Sequence, residues 1–132
     1  MTQDLVSVII PCYNATSYLR ACVESVLRQT YQNLEILIID DCSTQVEPRQ
    51  VLCGLELSDS RIKIFYLNKN AGPAVARNIG IAHAHGRYIA FCDSDDMWHP
   101  VKLERQIAFM QEKRCALCSS SYYIVNEANS II

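Results

Sequence analysis

Short runs of aliphatic residues alternate along the chain with longer segments whose apolar residues recur at helical spacing. Residues 6–10 and 34–39 are rich in Val, Ile and Leu, and both runs predict buried strands. Between them, the apolar residues from 19 to 27 share one face while Arg20, Glu24 and Arg28 lie on the other. This pattern predicts an amphipathic helix between two strands.

The same alternation continues in the rest of the chain. Weaker or shorter patterns predict helices near residues 48–57 and over 74–85, and strands over 62–67, 88–92 and 116–125. Gly86 is predicted to end the second of these helices as a left-handed cap. Pro100 fits the first turn of a further helix, in which Leu103, Ile107 and Met110 share a face. The chain is therefore predicted to alternate regularly between strands and helices.

Regular alternation indicates the α/β class, because parallel strands need crossover connections and those crossovers bury the sheet. We expect one domain over residues 1–132, with a mostly parallel central sheet and helices on both faces. Residues 126–132 contain no evident closing element, so we expect the domain to be truncated at its C-terminus. Ligands of such sheets bind beyond the carboxyl ends of the strands.

Composition narrows the function classes. Half of the 132 residues are hydrophobic, a fifth are charged and the net charge is −2, which excludes the basic excess of nucleic-acid-binding proteins. No apolar run approaches the roughly 20 residues of a membrane span, and the N-terminus lacks the basic start of a signal peptide. These features predict a cytoplasmic protein.

Seven cysteines also favour a reducing compartment. Five of them stand in apolar segments, where Cys acts as a small hydrophobe: Cys12, Cys22, Cys42, Cys53 and Cys92. Cys115 and Cys118 form a Cys-x-x-Cys pair, but structural zinc would need a second pair of ligands at a matching spacing. We therefore predict no zinc site.

Acidic residues follow two of the predicted strands. Asp93, Asp95 and Asp96 occupy three of four consecutive positions, and together with Asp41 they would repel one another without a counter-charge. Carboxylates suit Mg²⁺ or Mn²⁺, which take one or two protein ligands and complete their shell with substrate phosphates. The alternative is that Asp95 or Asp96 caps the next helix. The pattern does not decide which aspartates touch the ion.

Asp40 and Asp41 end a strand whose side chains alternate between faces, so only one of them can line a crevice. A carboxylate there would accept a hydrogen bond from the imide N–H of uracil or thymine and would meet no donor in cytosine. The alternative is an Asx-turn that closes the loop toward Ser43 and Thr44. Local pattern leaves both interpretations open.

Several further side chains are candidates for ligand binding, and each also has an ordinary structural role as an alternative. Tyr13 can stack on a base, whereas Asn14 is better read as the cap of the helix that follows. Arg77 can bind phosphate oxygens or remain solvated. Trp98, beside His99, can wall a sugar or acceptor site, but packing into the core is the more common use of a lone Trp.

Five stretches in order resemble the family 2 glycosyltransferases with the GT-A fold, a Rossmann-like arrangement. They are Val6 to Asn14, Gln29-Thr30-Tyr31 with Leu34-Glu35-Ile36, Ile39 to Thr44, Asn70-Ala71-Gly72 with Ala76-Arg77-Asn78, and Asp93 to Trp98. Each stretch is weak alone, but their order and spacing span nearly the whole chain. One departure is Cys42, where the family commonly has Gly or Asn.

The resemblance implies an N-terminal nucleotide-sugar-binding portion in which Pro11, Tyr13 and Asp41 contact the nucleoside. It implies that the segment from Asp93 to Asp96 holds a divalent ion, Mn²⁺ or Mg²⁺, and the ribose. The predicted nucleotide-binding residues are Pro11, Tyr13, Asn14, Asp41, Arg77, Asp93 and Ser94. The predicted metal ligands are Asp93, Asp95 and Asp96.

The resemblance also implies a reaction. Family members transfer a sugar from a nucleotide diphosphate, here UDP-sugar by preference, to a saccharide or lipid-linked saccharide hydroxyl, usually with inversion. Their general base is a carboxylate downstream of the metal segment, and Glu104, Glu112 and Glu127 do not match its motif. We therefore expect no catalytic base in this chain. The implied setting is surface polysaccharide assembly at the cytoplasmic membrane face, with peripheral membrane association of the full-length protein.

Rival classes share parts of the pattern. A phosphoacceptor signalling domain would need a Lys at the end of the fifth strand, where residues 119–123 have none. A sugar-phosphate nucleotidyltransferase would need a Gly-rich loop after the first strand, which is absent at residues 11–14. A non-catalytic nucleotide-sugar sensor fits the same pocket residues and stays open.

Overall fold

Four parallel strands form the centre of the protein. The computed structural model describes residues 2–15 and 17–132. The elements are β1 (Val6–Cys12), α1 (Ser17–Leu27), β2 (Leu34–Asp40), α2 (Val46–Ser58), β3 (Ile62–Tyr66), α3 (Pro73–His83), β4 (Tyr88–Phe91) and α4 (Lys102–Lys113). The strand order is β3-β2-β1-β4, and every pairing is parallel. The predicted α/β class and parallel sheet are confirmed.

The two central strands are buried on both faces. Every residue of β1 and β2 is buried, and they pair in register from Val6 opposite Leu34 to Cys12 opposite Asp40. Such continuous burial requires an apolar side chain at nearly every position, which explains why these strands appear in the sequence as unbroken aliphatic runs. The strands therefore end together at one edge of the sheet.

Helices cover both faces, but unequally. One face packs against α1, α2 and α4 through a core that includes Val23, Leu52 and Ile107, whereas α3 covers the other face. A Cβ on Gly80 of α3 would lie 2.5 Å from Cγ2 of Ile9, so the absence of a side chain allows α3 to approach β1 closely. Within the described residues, no helix has both the length and the apolar character needed to cross a membrane.

The predicted role of Gly86 is wrong. Helix α3 ends at His83, and the following Ala84 has extended backbone angles rather than left-handed ones. Gly86 is instead required by a close approach to the start of β1, because its Cβ would lie 2.6 Å from the backbone nitrogen of Ser7 and 2.8 Å from the carbonyl oxygen of Leu5. The glycine with a left-handed backbone is Gly72, which precedes α3 with φ 91°.

The predicted strand over residues 116–125 is also wrong. That segment contains only an isolated bridge from Val125 to Ile131, and Leu117 is 85% exposed. A strand is stable only when its backbone is paired, and among residues 2–15 and 17–132 β4 has no neighbour beyond it in the sheet. The last helix also begins later than predicted, at Lys102, with Pro100 in the preceding turn.

The cysteines are free thiols, and no disulfide links the described residues. Cys12, Cys22 and Cys92 are buried, as predicted for small hydrophobic residues. Cys53 is exposed on α2, where the amphipathic pattern is weak, so that prediction is wrong for this position. The buried thiols lie beneath the edge of the sheet at which the strands end.

Candidate functional site

A cavity of about 330 Å³ opens at the carboxyl ends of β1, β2 and β4. Its lining combines a half-exposed aromatic ring, several carboxylates and one cation: Pro11, Cys12, Tyr13, Asp41, Pro73, Arg77, Asp93, Ser94 and Asp95. Parallel strands bring their carboxyl ends to one edge, and the direction of chain progression reverses on either side of β1. The structure thus brings together the polar strand ends that the sequence placed at this rim.

Asp40 and Asp41, at the end of β2, each take one of the two predicted roles. Asp40 is fully buried and its carboxylate accepts hydrogen bonds from the backbone nitrogen of Ser43, at 3.1 Å, and from the Ser43 hydroxyl. These bonds close the loop toward Ser43, as the alternative interpretation predicted, although the backbone bond spans three residues where an Asx-turn spans two. Asp41 lines the cavity, and its two oxygens accept hydrogen bonds from the backbone nitrogens of Ala71 and Gly72 at 2.7 and 2.8 Å. Asp41 is therefore held in one orientation before any ligand arrives.

A left-handed backbone makes this turn possible. Cys42, between Asp41 and Ser43, has φ 63°. Gly and Asn adopt this region with the least cost, which gives a physical reason for their frequent use at this position in the resembling family. Cys42, where the chain departs from the family pattern, therefore carries a Cβ in a backbone conformation that is strained for an L-residue.

Asn14 joins the two loops that flank the cavity. It too is left-handed, with φ 48°, and its side-chain oxygen accepts hydrogen bonds from the backbone nitrogens of Thr44 and Gln45 at 3.0 and 3.3 Å. The side chain makes no hydrogen bond to the described part of α1 and does not line the cavity. Asn14 therefore supports the loop after β2.

The acidic segment presents two of its carboxylates to the cavity. Asp93, Ser94 and Asp95 all line it, because the chain forms a turn here and not the extended segment from which a shared direction of Asp93 and Asp95 was expected. The backbone nitrogen of Asp96 donates to the carbonyl oxygen of Asp93 at 3.0 Å, which turns the chain away. Asp96 is not part of the cavity wall. Burial, followed by the charges of Asp95 and Asp93, raises the pKa of Asp96.

Neither Asp95 nor Asp96 caps the next helix, because α4 begins at Lys102 with Val101 in the cap position. The capping interpretation is therefore wrong. Among the described residues, no three His, Cys, Asp or Glu side chains converge as a preformed metal cage. The carboxylates of Asp93 and Asp95 fit a divalent ion that takes one or two protein ligands and completes its shell with phosphate oxygens.

Arg77 lines the cavity from α3 and reaches the acidic segment. Its guanidinium lies 2.7 Å from the nearer carboxylate oxygen of Asp93, and both side chains are partly exposed. The helix that carries Arg77 is held close to the sheet by the small residues Ala76 and Gly80. The predicted cation is thus in the cavity and has a carboxylate partner there, so it is not simply solvated.

Trp98 serves the core. Its ring packs against the cluster between the sheet and α1, α2 and α4, and the ammonium of Lys102 lies 5.2 Å from the ring centroid. Neither Trp98 nor the exposed His99 lines the cavity. The structure therefore supports packing as the role of the lone Trp.

Sequence reasoning missed two kinds of residue. Cys12 lines the cavity floor, where burial, followed by the carboxylates of Asp40 and Asp41, raises its pKa to about 12. Gln29 is fully buried and binds the segment that follows the acidic cluster. Its position was available as a signal, because it lies seven residues after Cys22 and so falls on the buried face of the α1 helix pattern.

Comparison with known proteins gives a consistent match. The model of Glycosyl transferase family 2 matches residues 7–131. The chain is 48% identical over 123 residues to a putative teichuronic acid biosynthesis glycosyltransferase, TuaG, of Bacillus subtilis, which covers 93% of the chain and 48% of that protein. It is 45% identical to the Escherichia coli UDP-Glc:alpha-D-GlcNAc-diphosphoundecaprenol beta-1,3-glucosyltransferase WfgD, over 100% of the chain and 51% of that protein. The chain therefore spans about half the length of these curated relatives.

Two solved structures share the fold. Residues 1–349 of S. aureus TarS in complex with UDP-GlcNAc match with a TM-score of 0.73 and 32% identity, over 83% of this chain and 32% of that one. The Pyrobaculum calidifontis mannosyltransferase PcManGT, in complex with GDP-Man and Mn²⁺, matches with a TM-score of 0.63 and 27% identity, over 70% of this chain and 28% of that one. The expected GT-A architecture is confirmed.

Proposed function

This chain belongs to glycosyltransferase family 2, and on that premise we propose that its cavity binds the nucleotide-diphosphate sugar donor of a sugar transfer. A UDP-sugar is the favoured donor. Support comes from a structural neighbour that binds UDP-GlcNAc and from a relative named for its use of UDP-Glc. The observation that carries the proposal is the fixed carboxylate of Asp41 at the base of a cavity whose opposite wall is acidic.

Asp41 acts as the reader of the base. Backbone donors at Ala71 and Gly72 occupy one acceptor site on each of its oxygens, and each carboxylate oxygen has a second. A free acceptor directed into the cavity can take the imide N–H of uracil, whereas cytosine presents an acceptor at that position. Tyr13, half-exposed at the cavity mouth, offers a face on which the base stacks, and Pro11 lines the wall beside it.

In this proposal the diphosphate binds beside the ion pair of Arg77 and Asp93, within reach of both Arg77 and the acidic segment. Asp93 and Asp95 would hold Mn²⁺ or Mg²⁺, with Asp96 close behind them and Ser94 available to the ribose or phosphate. Such an ion would supply Lewis-acid stabilisation of negative charge on the diphosphate. Arg77 adds charge-assisted hydrogen bonds to the phosphate. One structural neighbour contains Mn²⁺ together with its GDP-linked donor.

The acceptor side of the reaction is not built from this cavity. Glu104, Glu112 and Glu127 do not line it, and Glu104 accepts a hydrogen bond from the hydroxyl of Thr30, which follows α1. We therefore propose that this portion binds donor, while the base that deprotonates the acceptor hydroxyl belongs to another part of the full-length enzyme. The proposed acceptor is a saccharide or lipid-linked saccharide of surface polysaccharide assembly, at the cytoplasmic face of the membrane.

A non-catalytic nucleotide-sugar sensor would use the same cavity, and this is the second candidate, because the lining carboxylates Asp41, Asp93 and Asp95 are assigned to base and metal binding and none of them to a general base. Turnover of the donor by the full-length protein separates the two. Release of free UDP that depends on an added saccharide acceptor would support the enzyme, and binding without release would support the sensor.

Exchange of Asp41 for Asn tests the base-reading role. We expect the Asp41→Asn variant to lose about tenfold in affinity for UDP, because the negative charge is lost and the new amide nitrogen, which replaces one of the two accepting oxygens, opposes the N–H groups that those oxygens bind. The same amide can donate to N3 of cytosine, so affinity for CDP should be retained or rise. Calorimetric titration of both nucleotides, in the presence of Mn²⁺, measures the ratio of the two affinities.

The matched control is Asp59→Asn. Asp59 also accepts a backbone N–H, from Arg61 at 2.9 Å, but it lies outside the cavity wall. This variant should bind UDP and CDP as the unmodified chain does. An Asp41→Asn variant that keeps its fold and the original preference for UDP over CDP would refute base reading by Asp41.

A further inference from the structure

The segment that follows the acidic cluster is attached to α1 along a line of polar groups. We refer to Cys22, Ser25, Gln29 and Thr30 as the polar seam. These residues lie at the C-terminal half of α1 or directly after it, on the side that faces residues 93–104. An apolar face on α1 would bury the same area against residues 93–104. Burial alone therefore does not explain why this face carries side chains that form hydrogen bonds.

Gln29 forms the centre of the seam. Its side-chain nitrogen donates to the carbonyl oxygens of His99, at 2.8 Å, and Ser25, at 3.3 Å. Its side-chain oxygen accepts from the backbone nitrogen of Leu103 at 3.0 Å. The side chain is fully buried, so these contacts with the turn before α4 and the first turn of α4 are made without competition from solvent.

The rest of the seam extends this attachment on both sides. The hydroxyl of Ser25 accepts from the backbone nitrogen of Trp98 at 3.0 Å, and the thiol of Cys22 donates to the carbonyl oxygen of Asp93 at 3.4 Å. The backbone nitrogen of Thr30 donates to the carbonyl oxygen of Pro100 at 2.9 Å. The acidic segment is therefore fixed at Asp93 and again at Trp98.

The segment between these two attachment points carries three carboxylates that repel one another. Asp93, Asp95 and Asp96 lie within four consecutive positions, so their like charges stand close together. Mutual repulsion favours relaxation of the segment toward solvent, and the single guanidinium of Arg77, 2.7 Å from Asp93, offsets the charge of one of the three carboxylates. Attachment at both ends prevents that relaxation and keeps Asp93 and Asp95 on the cavity wall.

We propose that Ser25 and Gln29 are positioning residues, which act through the backbone of residues 98–103 to hold Asp93 and Asp95 in the geometry that binds the metal–diphosphate group. This inference rests on the proposed function for the identity of the ligand. Groups that orient metal ligands typically change metal affinity by about 10- to 100-fold when removed. The seam gives α1 a part in ligand binding although none of its residues lines the cavity.

A matched pair of serines isolates the seam. The Ser25 hydroxyl donates to the carbonyl oxygen of Cys22, three residues earlier, at 2.7 Å, and the Ser58 hydroxyl on α2 donates to that of Leu55, also three residues earlier, at 2.7 Å. Only Ser25 also accepts a hydrogen bond from the backbone nitrogen of Trp98. Ser25→Ala and Ser58→Ala therefore lose the same bond within the helix and differ in the seam contact.

Three readouts are compared in the two variants and in Gln29→Met, which keeps the volume of the side chain and removes its hydrogen bonds. The first is amide hydrogen exchange over residues 93–103. The second is the fluorescence of Trp98, the single Trp of the chain. The third is the factor by which Mn²⁺ increases affinity for UDP. Circular dichroism checks that each variant is folded.

We expect Ser25→Ala and Gln29→Met to exchange amides faster in this segment, to shift the Trp98 emission to longer wavelength, and to reduce the Mn²⁺ enhancement by about tenfold. Ser58→Ala should leave all three unchanged. Seam variants that match Ser58→Ala, or that loosen the segment with the enhancement intact, would overturn the positioning role. If the unmodified chain shows no Mn²⁺ enhancement, the proposed function fails, and exchange and emission alone decide the seam.

Discussion

At the scale of single residues, the loop after β2 depends on one strained position. Asp40 must turn inward to Ser43 while Asp41 faces the cavity, and Cys42 achieves this with φ 63°. A left-handed backbone costs an L-residue about 1 to 2 kcal/mol, a cost that glycine does not carry. The cavity geometry is therefore maintained against a local preference of the chain.

Cys42→Gly should relieve that strain. We expect its free energy of unfolding in urea to exceed that of Cys42→Ala by about 1 kcal/mol, because Ala keeps the Cβ that makes φ 63° unfavourable. Comparison with Ala, rather than with Cys, removes the contribution of the thiol. Equal stabilities of the Gly and Ala variants would show that the left-handed conformation carries no strain.

The sequence predicted that one of Asp40 and Asp41 lines a crevice, but it could not decide which. The answer depends on how the loop folds after the strand, which is fixed by contacts to Ala71 and Gly72 some 30 positions away. Gln29 was missed for a related reason. Its polarity indicates exposure in a local window, and its partners lie 70 and 74 residues further along the chain.

At the scale of elements, a buried polar cluster joins strands β1 and β2 to the loop between α3 and β4. Glu35 accepts hydrogen bonds from the Ser7 hydroxyl at 2.6 Å and from the backbone nitrogen of His85 at 2.8 Å, and the ammonium of Lys63 lies 3.6 Å away. Burial alone would raise the pKa of Glu35. The hydrogen bonds from Ser7 and His85 outweigh it and lower that pKa below its ordinary value.

A lowered pKa means that ionised Glu35 stabilises the folded protein above the unfolded pKa of Glu, about 4.3, and that this stability is lost as the pH falls through the folded value. At pH 7 we expect Glu35→Gln to unfold with a free energy about 1 kcal/mol lower than the unmodified chain. The difference should shrink below about pH 4. Urea unfolding across this range measures it.

Glu24→Gln provides the control for this pH series, because Glu24 is exposed and its distance to Arg28 is 3.9 Å. Its effect on unfolding should be small at every pH, as for most exposed pairs. A Glu35→Gln effect that is independent of pH would contradict the role assigned to the ionised carboxylate.

The elements differ in how far local sequence determines them. Strands β1 and β2 were predictable because burial on both faces demands an unbroken apolar run. Residues 116–125 have a similar composition but form no strand, since pairing depends on a neighbour that the local pattern does not describe. Gly86 was assigned to a helix end, whereas the contact that requires glycine is with Ser7, far away in the sequence.

At the scale of the whole molecule, the cavity is assembled from four separate segments. One segment lies at the end of β1, one follows β2, one is the first part of α3 and one follows β4. The parallel sheet brings all four to one edge. Each segment contributes a different chemistry: an aromatic face, a fixed acceptor, a cation and a pair of carboxylates. Their combination suits a ligand with a base at one end and a diphosphate at the other.

The central claim is that this cavity binds a nucleotide diphosphate together with a divalent ion. Its most direct test is calorimetric titration of UDP into the chain with and without Mn²⁺, repeated on Asp95→Ala. We predict that Mn²⁺ raises the affinity for UDP by about tenfold or more, as coupled ligands typically do, and that Asp95→Ala loses this gain. A folded chain that binds neither UDP, GDP nor dTDP in a metal-dependent way would contradict the account.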